Sequence, residues 1–180
     1  MGIISKFKES LIDNLKAIVS GLLLAFVLIS IIQPTIVSGK SMYPTLDDKD
    51  YLIINKLAYK NKLPNRGDIV VFNSNLVDVQ GNSKNLIKRV IGLPGERVEI
   101  VNGFVYINGN KLDEPYLDGV FTDGEVDMIV PDNHIYVLGD NRPHSGDSRL
   151  EDIGAVSMDT VMGEANLRLY PFNKVGLINK

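Results

Sequence analysis

Cysteine is absent from the 180-residue chain, which excludes disulfides, thiolate catalysis and cysteine-based metal sites. The absence leaves the compartment open, because a cysteine-free chain suits either side of a membrane. Histidine is scarce: His134 and His144 are the only 2, so few ordinary bases exist for an activated serine. Excess positive charge is missing as well. With 19 Lys and Arg against 22 Asp and Glu, the net charge of -3 argues against a nucleic-acid binder working through a basic face. Internal repeats and low-complexity tracts are also lacking. Finally, charge of either sign is missing from Ala17 to Gly39.

That last gap is filled by Leu, Ile, Val, Ala and Phe, most densely from Ala17 to Ile32. As a helix the stretch reaches about 34 Å, enough for a hydrocarbon core of about 30 Å, with Gln33-Pro34 at its outer end. Lys6, Lys8 and Lys16 outnumber Glu9 and Asp13 before it, which favours an amino terminus inside and the remainder outside. The expected organisation is a short cytoplasmic segment at 1–16, a transmembrane anchor at 17–37 and an extracytoplasmic β-rich domain at 38–180. Two other readings compete. Val37-Ser38-Gly39 could end a cleavable signal peptide, although the apolar core is long for one. A buried helix of a soluble domain is the other, and few such helices carry an apolar run of this length.

With 44% hydrophobic and 23% charged residues, the chain as a whole can bury one core of ordinary size. Its pattern changes to short β-like runs between turn residues, predicting a mostly-β domain with strands at 51–55, 68–73, 86–92, 97–101, 104–108, 126–130, 134–139 and 163–169. Asn102-Gly103 between two such runs is a two-residue hairpin signal. The polar stretch 73–84 reads as an exposed connection. From Asp113 to Asp132, Asp113, Glu114, Asp118, Asp123, Glu125, Asp127 and Asp132 occur with no Lys or Arg. Their spacing matches no Ca²⁺ loop, and a solvated acidic face is the expected reading.

Ser41 follows the apolar stretch in Gly39-Lys40-Ser41-Met42-Tyr43-Pro44-Thr45-Leu46. Serine catalysis needs a base. A triad of Ser41, His144 and Asp140 or Asp147 can be written from the polar run 139–149, although no spacing requires it. His134 opens an apolar strand and reads as structural. Lysine can also serve if burial keeps it neutral. In Leu86-Ile87-Lys88-Arg89-Val90-Ile91, strand alternation puts Lys88 on one face with Leu86 and Val90. Pattern alone leaves that lysine either desolvated or snorkelling to water, the second being commoner. Ser41 by itself could equally be a loop or capping residue.

Taken together, four segments resemble the bacterial type I signal peptidases, or leader peptidases, in the correct order. They are the run around Ser41, Arg66-Gly67-Asp68-Ile69-Val70-Val71-Phe72, Lys88-Arg89-Val90-Ile91-Gly92-Leu93-Pro94-Gly95-Glu96, and Gly139-Asp140-Asn141-Arg142 through Asp147-Ser148-Arg149. The resemblance implies the family's signal-peptidase/LexA-like β-fold and a serine endopeptidase without metal or organic cofactor. It implies Ser41 as nucleophile, Lys88 as general base, Ser145 orienting the base amine, Asp147 and Arg149 as a salt-bridged pair, and Arg89 as a structural neighbour. Glycine at position 39, two residues before the nucleophile, resembles the shorter single-anchor Gram-positive branch. The oxyanion hole is then expected from the Ser41 backbone N–H and backbone around Gly39. Implied partners are secretory precursors with small residues at the first and third positions before the cut, and the lipid bilayer, with the chain monomeric and binding no nucleic acid. Met42 and residues near Ile87 are candidates for lining the pockets. The alternatives are a non-catalytic membrane-anchored β module binding exported peptides, and a Ser/Lys hydrolase with another substrate, including a self-cleaving regulator of similar fold.

Overall fold

The computed structural model describes residues 2–77, 80–117 and 119–178. One helix, α1 (Gly2–Ile31), is followed by a mostly-β domain, the class expected from the sequence. The span Ser10–Ile31 of α1 is long and apolar enough to cross a membrane, and none of it is buried against the rest of the chain. No break separates the amphipathic start from the apolar run, so α1 marks no boundary at residue 16.

The helix stops earlier than the apolar composition predicts. Residues 32–36, assigned to the anchor from the sequence, form β1 (Ile32–Ile36). Pro34 disfavours helix at Gln33 and lacks an N–H, and β1 lies at the sheet edge, where a proline costs no ladder bond. Its partner is β2 (Tyr51–Asn55), antiparallel, with Ile32 opposite Asn55 and Ile36 opposite Tyr51.

The other strands are β3 (Ile69–Val77), β4 (Ser83–Gly92), β5 (Arg97–Val101), β6 (Phe104–Ile107), β7 (Asn110–Lys111), β8 (Val126–Ile129), β9 (His134–Leu138), β10 (Val156–Ser157), β11 (Val161–Tyr170) and β12 (Gly176–Leu177). The larger sheet runs β1-β2-β11-β3-β4-β9-β10 with β12 on β11, and the smaller runs β7-β6-β5-β8. Asn102 and Gly103 both take positive φ, 52° and 82°, and close the β5–β6 hairpin as their residue types require.

Strand β3 explains why the run after Asp68 is continuously apolar. Ile69 and Val71 join a core with Met42, Leu46, Leu52 and Ile54, while Val70 and Phe72 join another with Val90, Ile135 and Val137. Burial on both faces removes the usual alternation. A third core of Ile91, Val98, Ile100, Val105, Tyr136 and Leu138 connects β4 and β9 to the smaller sheet.

Two loop expectations change. The stretch 73–84 is largely strand, since β3 continues to Val77 and pairs there with Ser83. Its side chains are polar because they bond one another across the hairpin, as Asn73 does with Ser83 and Asn85. The acidic segment is only partly a solvated face. Glu114 pairs with Arg142, Asp123 with Arg149 and Asp127 with Arg97, so arginines distant in sequence neutralise it. Asp118 lies outside the described residues.

Candidate active site

Ser41 sits in the turn connecting β1 to β2, and that turn is pinned from below. Met42 and Leu46 are 1% and 0% exposed within the first core, and the Leu46 N–H donates to the Met42 carbonyl at 2.9 Å. Met42 is therefore a peg of the turn, with no solvent-facing surface to line an open pocket. At the neck, the Val37 N–H bonds the Asp50 carbonyl and the Lys49 N–H bonds the Val37 carbonyl, each at 2.9 Å. Gly39 takes φ +93°, a left-handed conformation that glycine adopts readily. Its N–H donates to Asp48 Oδ1 at 2.8 Å, so Gly39 has no free N–H to offer an oxyanion. The Ser41 N–H has no acceptor among the described residues.

Lys88 reaches this turn from β4, where it is opposite Val70. It is 2% exposed, and Nζ lies 2.8 Å from Ser41 Oγ and 3.0 Å from the Ile87 carbonyl. Of the two outcomes open to a lysine among apolar strand neighbours, desolvation is the one realised. Burial lowers the Lys88 pKa from 10.5 to about 8, against the opposing pull of Asp147 and Asp140. Both acids are committed elsewhere. Asp140 binds Arg89 through both oxygens, at 2.9 and 2.6 Å, and Asp147 binds Arg149 at 2.8 and 2.9 Å. The amine thus has two carboxylates nearby and an ion pair with neither, so desolvation dominates.

The segment 139–149 braces the Ser41 turn. The Asn141 N–H donates to the Ser41 carbonyl and the Asn141 side chain to the Lys40 carbonyl, each at 3.0 Å. Asp147 accepts from the Gly139 N–H at 3.0 Å, while Arg149 donates to the Arg142 carbonyl at 2.7 Å. Ser145 is brought to the site with its Oγ buried and unpartnered. The bond from Ser145 to the Lys88 amine, implied by the resemblance, is not formed here; the amine bonds Ser41 and the Ile87 carbonyl.

Arg89 and Asp140 are both 0% exposed and form the centre of the scaffold. Arg89 also bonds the Gly67 carbonyl at 3.0 Å and Thr45 Oγ1 at 3.2 Å, and stacks 3.8 Å over the Tyr116 ring. Thr45 donates its hydroxyl to Asp140 and accepts through its carbonyl from Arg168, which pairs with Asp50. The Ser41 turn is thus gripped on opposite sides at Thr45. Removing one partner of such a buried pair costs about 3–5 kcal/mol.

A histidine triad is not assembled. His144 is exposed and its Nδ1 faces Asn141 Oδ1 at 3.2 Å, while His134 faces the Asp132 carbonyl at 2.8 Å. Asp140, a possible triad acid by sequence, is the partner of Arg89. Sequence reasoning also missed Thr45, Asp50, Asn141, Arg142, Glu114 and Arg168. Thr45, Asn141 and Arg142 lay inside the quoted motifs, but nothing local indicated their partners. No group of three or more His, Asp or Glu suited to a metal occurs among the described residues.

A buried amine whose pKa is lowered to about 8, beside a serine hydroxyl that has a free backbone N–H on the same residue, can in its neutral form activate that hydroxyl for attack on a carbonyl. A family model described as "Signal peptidase, peptidase S26" matches residues 11–170. "Signal peptidase I S" of Bacillus subtilis (strain 168) is 39% identical over 184 residues, covering 96% of each chain. "Signal peptidase I" of Bacillus caldolyticus is 41% identical, covering 77% of this chain and 80% of its own. "Signal peptidase IB" of Staphylococcus aureus is 35% identical, covering 80% and 81%. A solved signal peptidase I from Enterococcus faecalis V583 is 36% identical, covers 57% of this chain and 97% of its own, and has a TM-score of 0.48. By the extent of the family match and by identities well above 30% along most of its length, the chain belongs to the signal peptidase family, peptidase S26, and is a serine peptidase.

Proposed function

We propose that this chain removes signal peptides from exported precursor proteins at a membrane surface, through a Ser41 acyl-enzyme with Lys88 as base. The observation that carries this reading is the 2.8 Å separation of Nζ from Ser41 Oγ in Lys88, a residue only 2% exposed. The neutral amine takes the hydroxyl proton as Oγ attacks the scissile carbonyl carbon. The Ser41 N–H donates to the resulting oxyanion, and one such donor is worth roughly 3–4 kcal/mol in comparable sites. Collapse expels the amine of the mature protein, which receives its proton from the Lys88 ammonium. Lys88 then deprotonates a water that attacks the ester, releasing the signal peptide and returning the proton to Ser41. Ser145, buried with an unpartnered hydroxyl, is available to the Lys88 amine once Ser41 is acylated. Asp147 and Arg149, with Arg89 and Asp140, hold the loops in place. No cofactor takes part, and a single chain suffices.

The membrane reading supports the substrate class. The apolar α1 leads directly into β1 and then Ser41, so the serine stands close to where the helix leaves the bilayer. A precursor whose own apolar segment occupies the membrane presents its cut site at the same level. The excess of Lys6, Lys8 and Lys16 over Glu9 and Asp13 supports an amino terminus in the cytoplasm and a β domain outside.

The test is cleavage of a secretory precursor by the full chain in detergent or lipid, compared with His144→Ala. The expected result is cleavage at the junction of signal and mature sequence, with His144→Ala within about twofold of the native rate, as for an exposed residue outside the proton path. Loss of cleavage in His144→Ala would move the base to histidine. A native chain that binds the precursor without cutting it would favour the peptide-binding module.

A further inference from the structure

The end of α1 nearest the β domain carries no charge of its own. Between Lys16 and Lys40 the sequence has no charged residue, and the last turn of α1 contains no basic one. Membrane helices are ordinarily held at the interface by flanking Lys, Arg, Trp or Tyr. Here the fold supplies a cation from another part of the chain. The Lys56 N–H donates at 2.9 Å to the carbonyl of Ile31, the last residue of α1. Lys56 also lines an open cleft of about 460 Å³ with Ile29, Ile32, Gln33 and Pro34.

Lys56 begins a basic turn. Lys56, Lys60 and Lys62 are all exposed, as are Leu57 and Leu63 at 38% and 51%. No Asp or Glu occurs from Tyr51 to Gly67, and among the described residues none of the three lysines forms an ion pair. Ile31 is the last residue of the apolar span Ser10–Ile31, and Lys56 is one backbone bond from it, next to where the span ends.

We propose that Lys56, Lys60 and Lys62 bind anionic phospholipid headgroups on the side of the membrane that holds the β domain, with Leu57 and Leu63 entering the acyl boundary. The proposal rests on the reading of α1 as a membrane anchor. Exposed ammonium groups with no ion pair among the described residues match phosphate in charge, and the Gln33 amide at the cleft adds a neutral donor. The arrangement also fits membrane insertion. The charge bias that orients a helix counts residues within roughly 15–20 positions of its end, and Lys56 lies beyond that range. The cations reach the interface only when the domain folds, so they do not oppose the orienting signal from Lys6, Lys8 and Lys16.

The test incorporates the full chain and a Lys56→Gln, Lys60→Gln, Lys62→Gln variant into nanodiscs of phosphatidylcholine mixed with phosphatidylglycerol. Electron spin resonance compares the fractions of spin-labelled phosphatidylglycerol and phosphatidylcholine immobilised at the protein. The native chain is expected to prefer phosphatidylglycerol by roughly fivefold or more, the worth of a single surface lysine. The variant should show parity, while cleaving precursor in detergent at the native rate. Equal preference in both chains, each still incorporated, would overturn the proposal and leave the anchor reading standing. Complete loss of the native preference on adding millimolar inorganic phosphate would make this a free-phosphate site and overturn it too. Failure of either chain to enter the discs would overturn the anchor reading and the proposal together.

Discussion

Ser41→Ala and Lys88→Ala are each expected to bring precursor cleavage to background, a loss of roughly 10⁴-fold or more. The first removes the attacking oxygen, and the second leaves a hydroxyl with no base in reach, since His144 is exposed and turned to Asn141. Because serine and lysine act on one proton, the double variant should be no slower than either single one. Lys88→Met separates catalysis from folding. It keeps much of the volume of a side chain that is 2% exposed and removes an amine that is costly to bury. Denaturant unfolding of this variant should show stability at least equal to the native chain, with cleavage still absent. Substantial activity in any Lys88 variant would assign the base elsewhere.

Gly139→Ala is expected to lower the rate by roughly 10²-fold or more, without any change to a group that reacts. A methyl at this position would overlap both Ser145 Oγ and the Ser41 carbonyl oxygen, and would sit 2.6 Å from Ser145 Cβ. The Ser41 carbonyl cannot retreat freely. It accepts the Asn141 N–H at 3.0 Å, and the Gly139 N–H is held by Asp147 at 3.0 Å. The strain therefore displaces the Ser41 turn relative to Lys88, and a misplacement near 1 Å is enough for a loss of that size. Kinetics on a precursor should show the effect mainly in kcat, since the methyl points into the scaffold. Near-native kcat would mean that Gly139 and Ser145 are not packed against the Ser41 turn as described.

Much of this arrangement was legible in the chain. The alternation around Lys88 placed it among apolar neighbours, and the motifs named Ser41, Lys88, Ser145, Asp147, Arg149 and Arg89, which the fold brings together around the Ser41 turn or into its supports. What stayed hidden was long-range and electrostatic. Whether Lys88 snorkels or stays buried depends on Asp140 and Asp147 being occupied by Arg89 and Arg149, and no spacing reveals that occupancy. The same holds for Arg142 with Glu114 and for Arg168 at Thr45, where partners lie far apart in sequence. Gly39 was legible as a turn glycine, but its N–H is taken by Asp48 nine residues away. Strand β1 escaped notice because Ile32 and Ile36 continue the apolar composition of α1, and only Pro34 marks the change.

The rate of precursor cleavage as a function of pH tests the central claim most directly. If neutral Lys88 is the base, kcat/KM should be low where the amine is protonated and rise through an apparent pKa near the value of about 8 set by its burial. The same shift has a consequence for stability. With the folded pKa below the unfolded 10.5, the unfolded chain binds the extra proton, so stability falls as pH drops from about 10.5 to about 8 and is level below that. A rising limb near 8, unchanged in His144→Ala, is the expected result. A limb near 6.5, the ordinary histidine value, that vanishes with His144 would contradict it.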